Sequence, residues 1–346
     1  MSQELDATRY QLPTDENRRI FATGIVPEHL TGLTPQDPAT AVFLLGTPGS
    51  GKTRLAQLIA ERLDALGGFA DVDSDLYKPY HPQYARLMAE DDKLMTLYTA
   101  PDARAWKVQA QQFVRGQDPL ADGQKFNALV QEIALNPPFL AETMRQYREV
   151  ETRVEGFVLA VAQALGEQGV LNRYCEQLRD RGQGRLTVPE KSKASFVGIP
   201  DSCELIVREG LLDVGAVYRR GESTPRFIAE AAELARDPLA LRRAVVQEQN
   251  RPLTREESAD FLSVQKKLRK ELPASFGPHL DRIDQLASPL LATPQPGARV
   301  SSAAARSRST TAAKRPPGSG QSPAPADRSA PRHGPQGPEQ PRGRTK

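Results

Sequence analysis

The sequence predicts an α/β fold of three layers, with a mostly parallel central sheet, helical additions and a disordered C-terminal tail. Three observations predict it. The run Ala41-Val42-Phe43-Leu44-Leu45 is continuously apolar and bounded by turn residues, as suits a strand buried on both faces. A glycine-rich segment, Gly46-Thr47-Pro48-Gly49-Ser50-Gly51-Lys52-Thr53, separates it from an amphipathic stretch with Leu55, Leu58, Ile59, Leu63 and Leu66 on one face. Further strand-like and helical patterns then alternate, which is the signature of parallel βαβ units.

Taken in order, residues 11–40 read as a helical lead-in, with Pro27 expected to end or kink the helix and Gly32, Pro35 and Pro38 forming a linker. After the amphipathic helix, stopped by Gly67-Gly68, a second strand is expected over Phe69–Asp73. Residues 80–116 are mainly helical in pattern. A third strand is expected at Phe126–Gln131, a helix from about Pro138 to Glu151, and a fourth strand over Arg153–Ala162. Residues 163–181 look helical and Gly182–Pro189 forms a loop. Cys203–Val207 and Gly215–Tyr218 are later strand candidates, and Arg255–Leu272 is expected as an outer helix. The reading divides the chain into a lead-in (1–40), a catalytic domain (41–290) and a tail (291–346).

Charge sharpens that division. The chain has 46 Lys+Arg against 43 Asp+Glu, a net charge of +3. Residues 297–346 hold 10 Lys/Arg and 2 Asp/Glu, so the remaining body is mildly acidic, which argues against a body built around a broad nucleic-acid-binding face. The tail contains 8 Pro, no aromatic residue and one large aliphatic residue, Val300. Such a segment buries too little apolar surface to offset its ordering entropy. Its positive charge suits at most weak, salt-sensitive attraction to nucleic acid. Two cysteines, Cys175 and Cys203, make neither a disulfide framework nor a four-cysteine zinc site, and read as small buried residues. There is no apolar run long enough to span a membrane and no apolar signal core from Met1 to Tyr10, so a soluble, cytoplasmic protein is expected.

Gly46-x4-Gly51-Lys52-Thr53 is a complete phosphate-binding loop in the context it requires, after a strand and before a helix. Its glycines let backbone N–H groups turn inward around a phosphate. Lys52 is placed to reach the β- and γ-phosphates and Thr53 to bind Mg²⁺, and the helix N-terminus adds its positive end. The fold class is therefore a P-loop NTPase with ATP and Mg²⁺ as expected cofactors. Neither the base-reading Asn-Lys-x-Asp of GTPases nor the signature of transporter ATPases is present, which leaves small-molecule kinases.

Asp71, Asp73 and Asp75 alternate along the second strand and its exit, which places all three on one face of an extended segment. Asp75 follows Lys52 by one helix and one strand, so it falls at the carboxyl edge of the sheet beside the P-loop. A carboxylate there can take the proton of an attacking hydroxyl; a magnesium-shell or capping carboxylate is the alternative, and the better reading for Asp73.

These segments resemble the zeta-toxin family. The P-loop followed by Asp73-Ser74-Asp75-Leu76-Tyr77-Lys78-Pro79-Tyr80-His81-Pro82-Gln83-Tyr84 carries the resemblance. Thr99–Trp106, Asn172–Glu176 and Gly184–Pro189 extend it, over roughly residues 15–270. Members are P-loop kinases that phosphorylate the sugar 3′-hydroxyl of UDP-N-acetylglucosamine. The resemblance implies that Asp75 is the base, that Lys52 and Thr53 hold phosphate and Mg²⁺, and that Arg173 and Arg185 close over the triphosphate. It also implies that His81 and Glu132 belong to the substrate pocket, and that a small antitoxin is the protein partner. Where many relatives read Glu-Gly-Thr-x-Arg, this chain reads Glu132-Ile133-Ala134-Leu135-Asn136, so a hydroxyl and an arginine are absent. Arg145 and Arg148, on the next helix, are the candidates to compensate. Two other readings stay open: a P-loop kinase of another small molecule or a nucleic-acid end, and an ATP-binding protein of weakened turnover that acts through partners.

Overall fold

The computed structural model describes residues 6–184, 186–187 and 189–292. In chain order it begins with α1 (Thr14–Ile20), a π-helical segment (Phe21–Leu30), β1 (Thr40–Leu45) and α2 (Lys52–Asp64). Next come β2 (Ala70–Val72), α3 (Ser74–Tyr77), α4 (Tyr84–Glu90), α5 (Asp92–Val114), β3 (Ala128–Glu132) and α6 (Pro137–Arg148). Then follow β4 (Arg153–Ala160), α7 (Gln163–Arg181), α8 (Pro189–Arg208), β5 (Val214–Arg219) and β6 (Phe227–Glu230). The described chain closes with α9 (Ala231–Arg236), α10 (Ala240–Asn250), α11 (Arg255–Glu271) and α12 (Gly277–Ala287).

The described strands form one six-stranded sheet in the order β2-β3-β1-β4-β5-β6. Every pairing is parallel except β5 with the edge strand β6. β1 is central, and its period-two alternation builds the layers. Ala41, Phe43 and Leu45 enter the core shared with Trp106 of α5, Tyr147 of α6 and Ile206 of α8. Val42 and Leu44 face the opposite way, onto Leu55, Ile59 and Leu63 of α2. Burying each such side chain contributes roughly 2 kcal/mol. This is the P-loop NTPase architecture that the alternating pattern predicts.

These strands confirm the expected runs, with ends shifted by at most two residues. Other expectations are corrected. Of the two outcomes expected at Pro27, an end is not seen: the residue lies inside the π-helical segment, whose Phe21, Ile25, Val26 and Leu30 stay buried in the main core. Cys203–Val207 is not a strand but part of α8, where Ile199, Cys203 and Ile206 bury one helical face. A short apolar run does not distinguish the two states by periodicity. The Arg255–Glu271 helix is only half external: Phe261 and Leu268 join Leu171 of α7 and Ile283 of α12 in a third core. β6, four residues long and partly exposed, carries too short a signal to be seen in advance. Both cysteines are buried, as expected, and burial pushes the Cys203 thiol up to about 12. The expected tail lies outside the described residues from Thr293 on. Among the described residues, no helix is long and apolar enough to cross a membrane.

Candidate active site

Gly46–Gly51 lies between β1 and α2, so the loop stands at the carboxyl edge of the sheet with the first turn of α2 behind it. Gly49 and Gly51 adopt left-handed backbone, φ +73° and +90°. Gly49 also has no room for a side chain: a Cβ there would lie 2.2 Å from the Gly166 carbonyl oxygen and 2.5 Å from the Val170 nitrogen of α7. The contact is mutual, since a Cβ on Gly169 would lie 2.1 Å from the Gly49 carbonyl oxygen. Two glycines thus let helix α7 touch the P-loop backbone directly. Gly169→Ala is expected to cost about 1–3 kcal/mol of stability and to weaken nucleotide binding, because rigid backbone on both sides must give way. Gly277→Ala, which meets nothing within 4 Å, serves as the silent control in thermal melts and titrations.

Inside the loop, the Thr47 Oγ1 and Ser50 Oγ atoms are buried without a hydrogen-bond partner. Lys52 Nζ donates to the carbonyls of Gly46 (2.7 Å) and Thr47 (3.3 Å). Burial lowers the Lys52 ammonium to about 8, opposed by Asp73, Asp75 and Glu132 and reinforced by Arg173. Those four groups therefore converge electrostatically on Lys52. An ammonium resting on loop carbonyls, in a loop with two buried hydroxyls that have no partner, fits a polyphosphate. Thr53, in the first turn of α2, is exposed.

The acidic run departs from its expected geometry. β2 stops at Val72, and Asp73 caps α3 by accepting from the Asp75 N–H at 2.9 Å. Asp75 thus stands in a helical turn, not on an extended face, because a capping aspartate turns the chain into a helix at once. The two carboxylates nonetheless stay adjacent. Burial and the neighbouring Asp75 push the Asp73 carboxyl up. Asp75 is 39% exposed and pairs with the buried ammonium of Lys78 at 2.7 Å.

Asp71 accepts from the Gln131 amide at 3.2 Å, and burial, then Asp73, push it up to about 7. A carboxyl raised on folding favours the fold below its unfolded value, and that advantage is lost as pH rises through about 7. Asp71→Asn keeps the amide contact without the charge. It should stabilise the protein by about 1 kcal/mol near pH 8 and by nothing near pH 4, as read by melting temperature across pH.

Glu132 ends β3 opposite Leu45 of β1 and pairs with Lys107 Nζ at 2.6 Å. That ammonium also donates to the Gln131 carbonyl at 2.8 Å. Lys107 and Lys78 are site residues that sequence reading missed. Lys78 lay within the motif as quoted, whereas nothing in the helical pattern marks Lys107. Arg173 lies one turn beyond Gly169 on α7 and donates to Thr187 Oγ1 at 3.4 Å. Arg185 lies outside the described residues.

His81 is buried, with Nδ1 accepting from the Gln83 N–H and Nε2 donating to the Tyr10 carbonyl at 3.1 Å, beside Asp102 at 3.4 Å. These contacts tie the N-terminal segment to α5.

The divergent turn after β3 has its own structural logic. Ala134 is buried in left-handed backbone, φ +48°, a conformation uncommon for a residue with a Cβ. Ser195 of α8 donates to the Ile133 carbonyl, and a Cβ on Gly198 would lie 2.5 Å from the Ala134 carbonyl oxygen. Asn136 caps α6 by accepting from the Phe139 N–H at 3.1 Å. Neither expected substitute cation reaches this place. Arg145 pairs with Glu142 and Glu209, and Arg148 with Asp213, next to the amino end of β5 and away from the P-loop edge.

The family model described as Zeta toxin matches residues 28–231. No curated protein matches the chain. Among solved structures, one from the PezAT chromosomal toxin-antitoxin system of Streptococcus pneumoniae is similar at 15% identity and a TM-score of 0.62, covering 76% of this chain and 98% of that one. An AvrRxo1-ORF1:-ORF2 complex is similar at 14% identity and a TM-score of 0.46, covering 80% and 85%. The same pair with ATP gives 16% and 0.45, covering 79% and 87%. The first of these likenesses supports the P-loop fold alone. The family match runs from the π-helical segment, through the P-loop and the carboxylates beside it, to the end of β6, over more than half of the chain. On that ground the protein belongs to the zeta-toxin family.

Proposed function

We propose that the protein is an ATP-dependent kinase that phosphorylates the sugar 3′-hydroxyl of UDP-N-acetylglucosamine. The observation that carries this reading is the position of Lys52 in the P-loop after β1, beside the carboxyl ends of β2 and β3 where Asp75 and Glu132 stand. In the proposed step, Asp75 takes the proton of the acceptor hydroxyl as its oxygen bonds to the γ-phosphorus. The bond from that phosphorus to the β,γ-bridging oxygen breaks, and ADP leaves. Lys52 and Arg173 neutralise the charge gathering on the transferred group; arginine suits this because its planar fork never deprotonates. Arg185 takes the same role. Glu132, oriented by Lys107, contacts the sugar. Thr53 would hold Mg²⁺ through its hydroxyl, and the ion would add positive charge at the phosphates.

ATP dependence suits the cytoplasm, and a small antitoxin that covers the nucleotide site suits a toxin of this family. Residues 41–290 would form the kinase domain, with the lead-in before it and the basic tail after it. A second reading, nucleotide binding without turnover as the basis of activity through partners, has one observation in its favour: Asn136 is committed to a helix cap where many relatives carry an arginine.

An acceptor screen with γ-labelled ATP and the purified chain separates the readings. Label should pass to the sugar nucleotide and not to polynucleotide ends or aminoglycoside hydroxyls. ATP bound without transfer to any acceptor favours the second reading.

A further inference from the structure

Helix α7 has two occupied faces. Gly166, Gly169 and Arg173 recur at helical spacing along one of them. That face meets the P-loop: a Cβ on Gly166 would lie 3.0 Å from Thr47 Oγ1, and one on Gly169 would lie 2.1 Å from the Gly49 carbonyl oxygen. Arg173 stands one turn further along, so its place at the loop is set by the rotation and axial register of α7. At about 3.6 residues per turn, Ala164, Gln168, Leu171 and Cys175 fall on the opposite face. Ala164, Leu171 and Cys175 join Phe261 and Leu268 of α11 and Ile283 of α12 in one apolar core.

Apolar contacts alone leave that register loose, because they are non-directional. Two polar pairs fix it. The buried Gln168 amide donates to the Phe261 carbonyl at 2.9 Å and to Gln265 Oε1 at 3.0 Å. Gln265, also buried, donates in turn to the Leu280 carbonyl at 2.9 Å, so one chain of amides joins α7, α11 and α12. Beside it, the buried Glu167 accepts from Arg282 of α12 through both oxygens, at 3.0 and 3.3 Å, with His279 Nε2 at 3.5 Å. A displaced α7 would leave a buried carboxylate and buried amides without partners, a penalty that apolar contacts do not impose. Polar partners in an apolar seam select one register in this way. Both α11 and α12 follow the end of the family match at residue 231.

We infer that Gln265 and Arg282 are positioning residues: through Gln168 and Glu167 they fix the register of α7 and so set Arg173 against the triphosphate. The inference rests on the proposed reading in which Arg173 meets the phosphates.

The test is calorimetric titration with ATP of the full chain as wild type, Arg282→Met, Gln265→Met, Arg173→Ala and the two double variants that add Arg173→Ala. The Arg282 side chain is 42% exposed, and without it Glu167 keeps Gln163 and His279, so folding should survive. Methionine at 265 keeps the buried volume, and melting curves check both variants. Each should weaken ATP by about fivefold or more in the wild-type background and by less than about twofold once Arg173 is alanine. A merely structural loss would weaken ATP by the same factor in both backgrounds, and that result overturns the inference. ATP affinity unchanged in Arg282→Met and Gln265→Met, while Arg173→Ala weakens it, also overturns the inference and leaves Arg173 at the phosphates. ATP bound by Arg173→Ala as tightly as by wild type overturns that placement and the inference together. Transfer to an acceptor is read separately, so a missing phosphorylated product counts against the kinase reading alone.

Discussion

Lys52→Ala is expected to lower phosphoryl transfer by about 10³-fold or more and to reduce ATP binding severely. The side chain is the cation buried in the loop, and its ammonium already rests on the Gly46 and Thr47 carbonyls where phosphate oxygens would replace them. The pH dependence gives a second handle. Burial sets Lys52 at about 8 in the free protein, and bound phosphates stabilise its charged form. ATP binding above about pH 8 should therefore take up a proton, and affinity should fall as pH rises further. Calorimetry in buffers of different ionisation enthalpy measures that proton directly. Binding without proton uptake at such pH, or full activity in Lys52→Ala, would remove Lys52 from the phosphate site.

Asp75→Asn is the second large effect. It should lower kcat by about 10²- to 10⁴-fold while ATP affinity stays within a few-fold of wild type. Asparagine keeps the shape of the side chain but cannot take a proton from the acceptor. The adjacent Asp73 is no substitute, because its carboxylate is held at the cap of α3. A loss confined to KM, or activity equal to wild type, would leave Asp75 as a capping or magnesium-shell carboxylate and end its role as base. The Lys78 ammonium at 2.7 Å makes a further check available. In Asp75→Asn the buried lysine loses its counter-charge, so melting temperature must be measured alongside kcat.

What could be read beforehand follows the range of the underlying physics. β1, the P-loop and α2 were legible because their signals are local: an apolar run, glycines at fixed spacing and a leucine stripe. Asp75 was legible as a residue at a strand end, since the sheet edge follows from the βαβ pattern, whereas Glu132 was singled out only through the resemblance. The geometry of Asp75 was not, because a cap formed by Asp73 ended the strand three residues earlier than alternation suggested. The burial of His81 could not be read, because it depends on Tyr10 and Asp102, which are distant in sequence. Lys107 and the Gly49–Gly169 contact were invisible for the same reason. They exist only once α5 and α7 are packed around the loop. Arg145 and Arg148 failed as substitute cations because helix α6 carries them toward the opposite edge of the sheet, a consequence of helix length that the motif does not encode.

The most direct measurement is the mass spectrum of UDP-N-acetylglucosamine after incubation with the purified chain, ATP and Mg²⁺. The account predicts a product carrying one added phosphoryl group on the sugar 3′-hydroxyl with wild type, and none with Lys52→Ala. A sugar nucleotide left unmodified by wild type, under conditions in which the protein binds ATP, would contradict it.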